Sequence, residues 1–214
     1  MLEFEIIPVT PFQQNCTLIW CSNTRKAAVI DPGGEPERIA SLIKQAGVQL
    51  EQILLTHGHM DHVGAAGVLA ERLKVPIAGP HKDDAFLLQS LPQQCSMFGF
   101  PPIEPFTTGR WLTAGDSVQV GEVVLDVLHC PGHTPGHLVF FSYEDRLAQV
   151  GDVIFRGSIG RTDFPRSNHG QLIDSIRNRL FPLGDDVRFI PGHGPMSTIA
   201  AERRDNPYVA DAAV

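Results

Sequence analysis

Residues 56–62 read Thr-His-Gly-His-Met-Asp-His, and this heptapeptide constrains the chain more than any other stretch. His57, His59, Asp61 and His62 are side chains that bind metals such as zinc or iron, and they fall within six positions. In an extended segment, side chains two apart point the same way, so His57 and His59 can share one metal. Asp61 and His62 are adjacent and point apart unless the chain turns. A strand ending near Thr56, followed by a turn into a helix, would aim that pair at a second metal. A carboxylate in the first helical turn also suits the helix dipole.

The remainder must hold that turn. At 214 residues the chain has the size of one ordinary domain and can bury a large core without disulfides. Its net charge of −7 disfavours a nucleic-acid or anionic-membrane surface. Cys16, Cys21, Cys95 and Cys130 form no Cys-x-x-Cys pair, which excludes a zinc ribbon and a thioredoxin motif. They are expected to be reduced thiols in a cytoplasmic protein. Met1 to Thr10 lacks the pattern of a signal peptide, and no apolar run approaches the ~20 residues of a membrane span.

Strands are predicted at Phe4–Val9, Cys16–Cys21, Ala27–Asp31, Gln52–Leu55 and Val75–Ala78. Apolar spacing predicts helices at Glu35–Gln45 and Asp61–Leu73. Pro92 to Pro105 carries Gly, Pro and aromatics without period and is expected to be irregular; its Phe98–Phe106 part is either a lid or a packed surface loop. Strands follow at Ser117–Val120, Val123–His129, His137–Phe141 and Leu147–Val150, then a helix at Gln171–Leu180, a strand at Val187–Ile190 and a helix at Ser197–Arg204. Each half runs strands first and helices after. The expected architecture is an α/β chain of the α+β type, two mixed sheets face to face with helices outside: a four-layer αβ/βα sandwich.

Three further segments place a ligand type after a predicted strand and beside Gly or Pro. They are Cys130-Pro-Gly-His133-Thr-Pro-Gly-His137, Gly151-Asp152 and Ile190-Pro-Gly-His193-Gly. Such loops at one sheet edge are where a rigid scaffold presents side chains.

The order His-x-His-x-Asp-His, then His, Asp and His resembles the metallo-β-lactamase superfamily over Asp31 to His193. Within it the chain looks most like the single-domain bacterial glyoxalase II-like (hydroxyacylglutathione hydrolase-like) enzymes, a likeness that Phe155-Arg-Gly-Ser-Ile-Gly-Arg-Thr-Asp-Phe-Pro supports. The resemblance implies two divalent metal ions, zinc being the expected one and Fe²⁺ or Mn²⁺ the alternatives. His57, His59 and His133 would hold one; Asp61, His62 and His193 would hold the other; Asp152 would bridge them. Asp31 resembles the aspartate of the family's first motif and would brace the loops from behind the ligands. The implied activity is hydrolysis of a small-molecule thioester, S-lactoylglutathione or a related hydroxyacyl thioester, by a metal-bridging hydroxide that Asp61 helps to orient.

By position, Arg161 resembles a basic residue that contacts the glutathione moiety. Longer family members add a helical C-terminal domain to that site. The 21 residues after His193 leave no room for one, so residues 1–214 are expected to be a single domain. The alternative is a persulfide dioxygenase of the same fold, holding one iron through His57, His133 and Asp152; Gly160–Phe164 is also similar to that group. A monomer or small homo-oligomer is expected. His137, His129 and Cys130 are read as packed residues, His81 and His169 as surface or cap residues, and Gly192 and Gly194 as allowing close loop approach.

Overall fold

The structure, a computed structural model, describes residues 1–211. The first sheet has the order β1 (Leu2–Val9), β2 (Gln14–Cys21), β3 (Lys26–Ile30), β4 (Gln49–Leu54) and β5 (Ile77–Ala78). Its first three strands form an antiparallel meander, and β3, β4 and β5 run parallel. The second sheet comprises β6 (Ser117–Val120), β7 (Val123–His129), β8 (Leu138–Ser142), β9 (Leu147–Gly151), β12 (Arg188–Pro191) and β13 (Ser197–Thr198). It is antiparallel from β6 to β9, and β9 and β12 run parallel. A small hairpin of β10 (Ile154–Phe155) and β11 (Ser158–Ile159) stands apart from both sheets.

Three buried clusters define the layers. One joins the inner faces of the two sheets, with Ile19, Ala28 and Leu54 from the first and Val120, Leu125 and Phe140 from the second. Another packs the outer face of the first sheet under α1 (Pro36–Ala46) and α3 (Ala66–Leu73). A third packs the second sheet under α6 (His169–Ser175), its π-helical continuation Ile176–Leu180, and α7 (Ile199–Asp205). The order helix, sheet, sheet, helix is the four-layer sandwich. Helix α1 shows how the sequence specifies its layer: Ile39, Leu42 and Ile43 recur at helical spacing and are its buried residues. No helix among the described residues is long and apolar enough to cross a membrane.

Several elements depart from the sequence reading. The predicted helix Asp61–Leu73 is two helices, α2 (Met60–Val63) and α3. The break has a cause: the Ala65 N–H donates to Pro32 O (2.8 Å), outside the helical ladder. The stretch expected to be irregular from Pro92 is helical over α5 (Leu91–Phe98), preceded by α4 (Ala85–Gln89). Pro92 lies in the first turn of α5, where its missing N–H has no partner to lose, and Leu91 and Cys95 bury one face at i, i+4. Gly99, at φ 69°, ends it. Residues 99–105 are irregular, as expected. Ser197–Arg204 begins as β13 before turning into α7.

Candidate metal centre

All the expected ligand residues meet at one edge of the sandwich. His57 and His59 follow β4, Asp61 and His62 lie in α2, His133 sits between β7 and β8, Asp152 follows β9, and His193 follows β12. The two sheets are tied together there. Leu138 N donates to Thr56 O (2.7 Å), Asn15 N to Gly192 O (2.7 Å), and Asn15 Nδ2 to Pro191 O (3.0 Å). Gly192 permits a close approach, because a Cβ there would run into Asp152 Oδ1 and His62 Cε1. Gly194 has open space around it, contrary to the close approach expected; its φ of 76° is what favours glycine.

Hydrogen bonds on one side of each ring set its tautomer. Thr56 Oγ1 spends its proton on Asp31 Oδ2 (2.6 Å), so it accepts from His57 Nδ1 (3.0 Å). His133 Nδ1 donates to Arg161 O (2.8 Å), and His193 Nδ1 to Phe12 O (3.0 Å). His62 Nδ1 donates to Asp31 Oδ2 (2.9 Å). In His57 and His133, Nε2 is left as a bare lone pair facing the centre; in His62 and His193, Nε2 faces a carboxylate that favours a proton there, one that a bound cation would displace.

These atoms form two groups. His57 Nε2 and His133 Nε2 lie 3.1 and 3.0 Å from His59 Nδ1. Three ring nitrogens that close, two of them without protons, make a compact donor set that could hold one cation. Beside them, His193 Nε2 stands 3.3 Å from Asp61 Oδ2, and His62 Nε2 3.9 Å from the same carboxylate. Asp152 lies between the groups: Oδ1 is 3.3 Å from His62 Nε2, and Oδ2 is 3.5 Å from His133 Nε2 and 3.7 Å from His193 Nε2. His62 Nε2 and Asp152 Oδ1 are buried and have no hydrogen-bond partner among the described residues. Orphaned polar atoms of this kind are costly unless something binds them. The donor set, five imidazoles and two carboxylates, fits a pair of borderline divalent ions.

Electrostatics separates the groups. Burial lowers His57 well below its ordinary value and His59 to about 3, with neighbouring imidazoles adding to the effect; burial lowers His133 too. These rings are neutral, the form that ligates. Burial would also lower His62 and His193, but Asp152 and Asp61 outweigh it and raise both. Burial would raise Asp152, yet His62, His133 and His193 hold it far below the usual carboxylate range. Asp61 is lowered against burial by His62 and His193.

Behind this layer Asp31, at φ 50°, accepts from Thr56 N (2.7 Å), Thr56 Oγ1 and His62 Nδ1. His137 Nε2 accepts the Asp152 N–H (3.0 Å) and its ring stacks on His57 at 4.6 Å. Cys130 is buried, and burial pushes its thiol up to about 12, which suits packing. Arg161 reaches the same cleft, but its guanidinium pairs with Asp163 through Nε (2.9 Å) and Nη2 (2.7 Å) and lies over the Phe164 ring. His81, Asp83 and His129 form a separate cluster. Its imidazoles are stacked at 4.4 Å, His81 Nδ1 accepts from Asp83 N, and His129 Nε2 donates to Pro135 O.

The centre opens into a cleft of about 640 Å³. Sequence reasoning did not find Phe12, Phe86 or Met97 in its wall, nor Asp84 beneath the ligand loops. None has a local signature; each becomes functional only by folding.

A family model described as the metallo-beta-lactamase superfamily matches residues 9–193. The chain is 49% identical over 209 residues to hydroxyacylglutathione hydrolase GloC of Haemophilus influenzae, covering 97% of this chain and 98% of that protein. Among solved structures it is similar to the BLEG-1 B3 metallo-beta-lactamase, with TM-score 0.90, 32% identity and coverage of 97% and 99%. It is also similar to TTHA1623 in a di-iron-bound form, with TM-score 0.88, 36% identity and coverage of 96% and 100%.

Proposed function

The chain belongs to the metallo-β-lactamase superfamily, and from that premise we propose that it is a dinuclear metal-dependent hydrolase of thioesters, acting on S-lactoylglutathione or a related hydroxyacyl thioester. The observation that carries this reading is the convergence of five imidazoles and two carboxylates at the floor of one cleft. The similarity to a hydroxyacylglutathione hydrolase over nearly the whole chain points to the substrate. In this reading residues 1–214 work as one domain. His57, His59 and His133 hold one ion, Asp61, His62 and His193 the other, and Asp152 reaches both. Zinc fits the donor set, and the di-iron form of a similar structure makes iron the natural competitor.

Two bound divalent ions supply Lewis acidity for the thioester carbonyl and ease the deprotonation of water at neutral pH. The chain's own groups do the rest. Asp61, 3.3 Å from His193 and ionised, orients the attacking water by accepting its hydrogen bond. Hydrolysis forms the carbon–oxygen bond and breaks the carbon–sulfur bond. The sulfur leaves as a thiolate, which needs no general acid. Asp31, Thr56, Phe12 O and Arg161 O keep the rings in register by accepting their Nδ1 protons or, for Thr56, relaying one hydrogen bond to Asp31.

Metal counting on the purified protein, joined to an assay of S-lactoylglutathione, tests the proposal. Two ions per chain with hydrolysis is the expected result. Asp61→Ala and His193→Ala should each lose one ion and lower kcat by at least about 100-fold. A single iron per chain with oxygen uptake on glutathione persulfide would overturn it in favour of the dioxygenase chemistry.

A further inference from the structure

The walls of the cleft say more about the substrate than its floor does. Phe164 lies against two of the ligand rings, with centroids 4.9 Å from His59 and 5.7 Å from His133. On the other side Phe155 faces His193 at 6.2 Å. Phe12 packs edge-on against Phe98 at 6.1 Å, and Met97 and Phe86 complete the wall. Aromatic surface therefore begins directly beside the imidazoles on both sides of the reacting centre.

The polar wall groups are mostly committed elsewhere. Gln94 Oε1 accepts from Met60 N (3.0 Å), and its Nε2 donates to Leu87 O (2.8 Å). Ser90 Oγ donates to Leu87 O (3.2 Å). Arg161 is held in its two-bond pair with Asp163. Arg166 rests on the Phe86 ring at 4.3 Å, outside the cleft-lining set. A cleft built to select a peptide-like thiol such as glutathione, with two carboxylates and an ammonium, would offer unspent donors and acceptors. This one offers ring faces, a thioether and, as a polar side chain without a partner among the described residues, the Gln93 amide at its exposed rim. Met97 and Phe98 are 77% and 40% exposed, although burying them elsewhere would be favourable. Large apolar side chains left open at a cleft mark a binding surface.

We infer that the cleft selects thioesters carrying an apolar substituent, aromatic or branched aliphatic, next to the thioester group. This rests on the hydrolase reading above and narrows it. The substituent can enter on the acyl side or on the thiol side, and two substrate pairs separate those sources. In the first, glutathione is kept and lactoyl is compared with mandeloyl. In the second, lactoyl is kept and glutathione is compared with an aryl-alkyl thiol of similar acidity.

With the metal-loaded protein, the apolar member of at least one pair should show kcat/KM about 10-fold or more above its partner, the scale of one well-placed apolar group. The pair that responds identifies the side. Phe98→Ala and Phe12→Ala should shrink that ratio several-fold; both side chains are partly exposed, so the variants should fold. Binding of S-benzylglutathione against S-methylglutathione, followed calorimetrically, should be tighter and show a more negative heat-capacity change. Hydrolysis of S-lactoylglutathione with equal or lower kcat/KM for both apolar members would overturn the inference and leave the thioester reading standing. No hydrolysis of any of these thioesters would remove both.

Discussion

Asp84 holds two ligand loops with one carboxylate. Oδ2 accepts from Gly58 N (3.0 Å) and Thr134 Oγ1 (2.8 Å), and Oδ1 accepts from Gly136 N (2.6 Å). Gly58 separates His57 from His59, and Thr134 follows His133, so the group fixes the spacing of three ligands. Burial lifts its pKa to about 7 against the pull of those three bonds. Asp84→Asn presents an amide N–H to at least one donor, an unsatisfied pairing that costs about 1–3 kcal/mol. The pH dependence has a definite sign. A carboxyl raised in the folded state contributes stability that is fully present below about pH 4 and lost as pH rises through about 7. The gap in unfolding free energy between the native protein and Asp84→Asn should therefore narrow from pH 5 to pH 8 in urea titrations of the metal-loaded forms. A widening gap would contradict this account. Asp84 was invisible in the sequence because its partners lie 26, 50 and 52 positions away. The residues proposed as ligands were visible because four sit in one heptapeptide and the others recur beside Gly or Pro.

At the scale of elements, the strands were legible where one face or both faces are apolar, as in β7 with its alternating burial and β8 with its continuous burial. Helix α5 was not, since Pro92 and the aromatics that follow read as a loop until Leu91 and Cys95 find a core to face. The hairpin of β10 and β11 was hidden for another reason: at two residues a strand, it has no period to detect. Its anchor is tertiary. Glu202, buried in α7, accepts from Gly157 N (2.8 Å), Asn206 Nδ2 (2.8 Å) and Ser197 Oγ. Glu202→Ala should cost about 1–3 kcal/mol by leaving those donors unmet. It should also speed tryptic cleavage after the exposed Arg156 at the hairpin turn, while a cleavage rate equal to that of the native protein would show that the hairpin is held by other contacts.

For the whole molecule, the residues proposed as ligands come from both sheets. His57 and His59 belong to the first, while His133, Asp152 and His193 belong to the second. Metal binding is then linked to the folded state, because an unfolded chain cannot assemble ligands spread from residue 57 to residue 193. At free metal ~100-fold above Kd the linkage is worth about 2.7 kcal/mol per ion. In a chain of this size that corresponds to roughly 5–10 °C in Tm. Chelation should lower the melting temperature by at least that much, and added zinc should restore it. A chelated protein melting within ~1 °C of the loaded one would show that the centre is assembled without metal.

The contact between Phe12 O and His193 Nδ1 separates two kinds of change. A carbonyl oxygen is the same whichever side chain its residue carries. Position 12 can pass from Phe to Leu or Tyr and reshape the cleft mouth while His193 keeps its acceptor. Substrate range can drift by single substitutions in the 10–13 loop without a detour through a damaged enzyme. A random library at residue 12 alone, sorted on an unrelated thioester, is the short route to a new specificity.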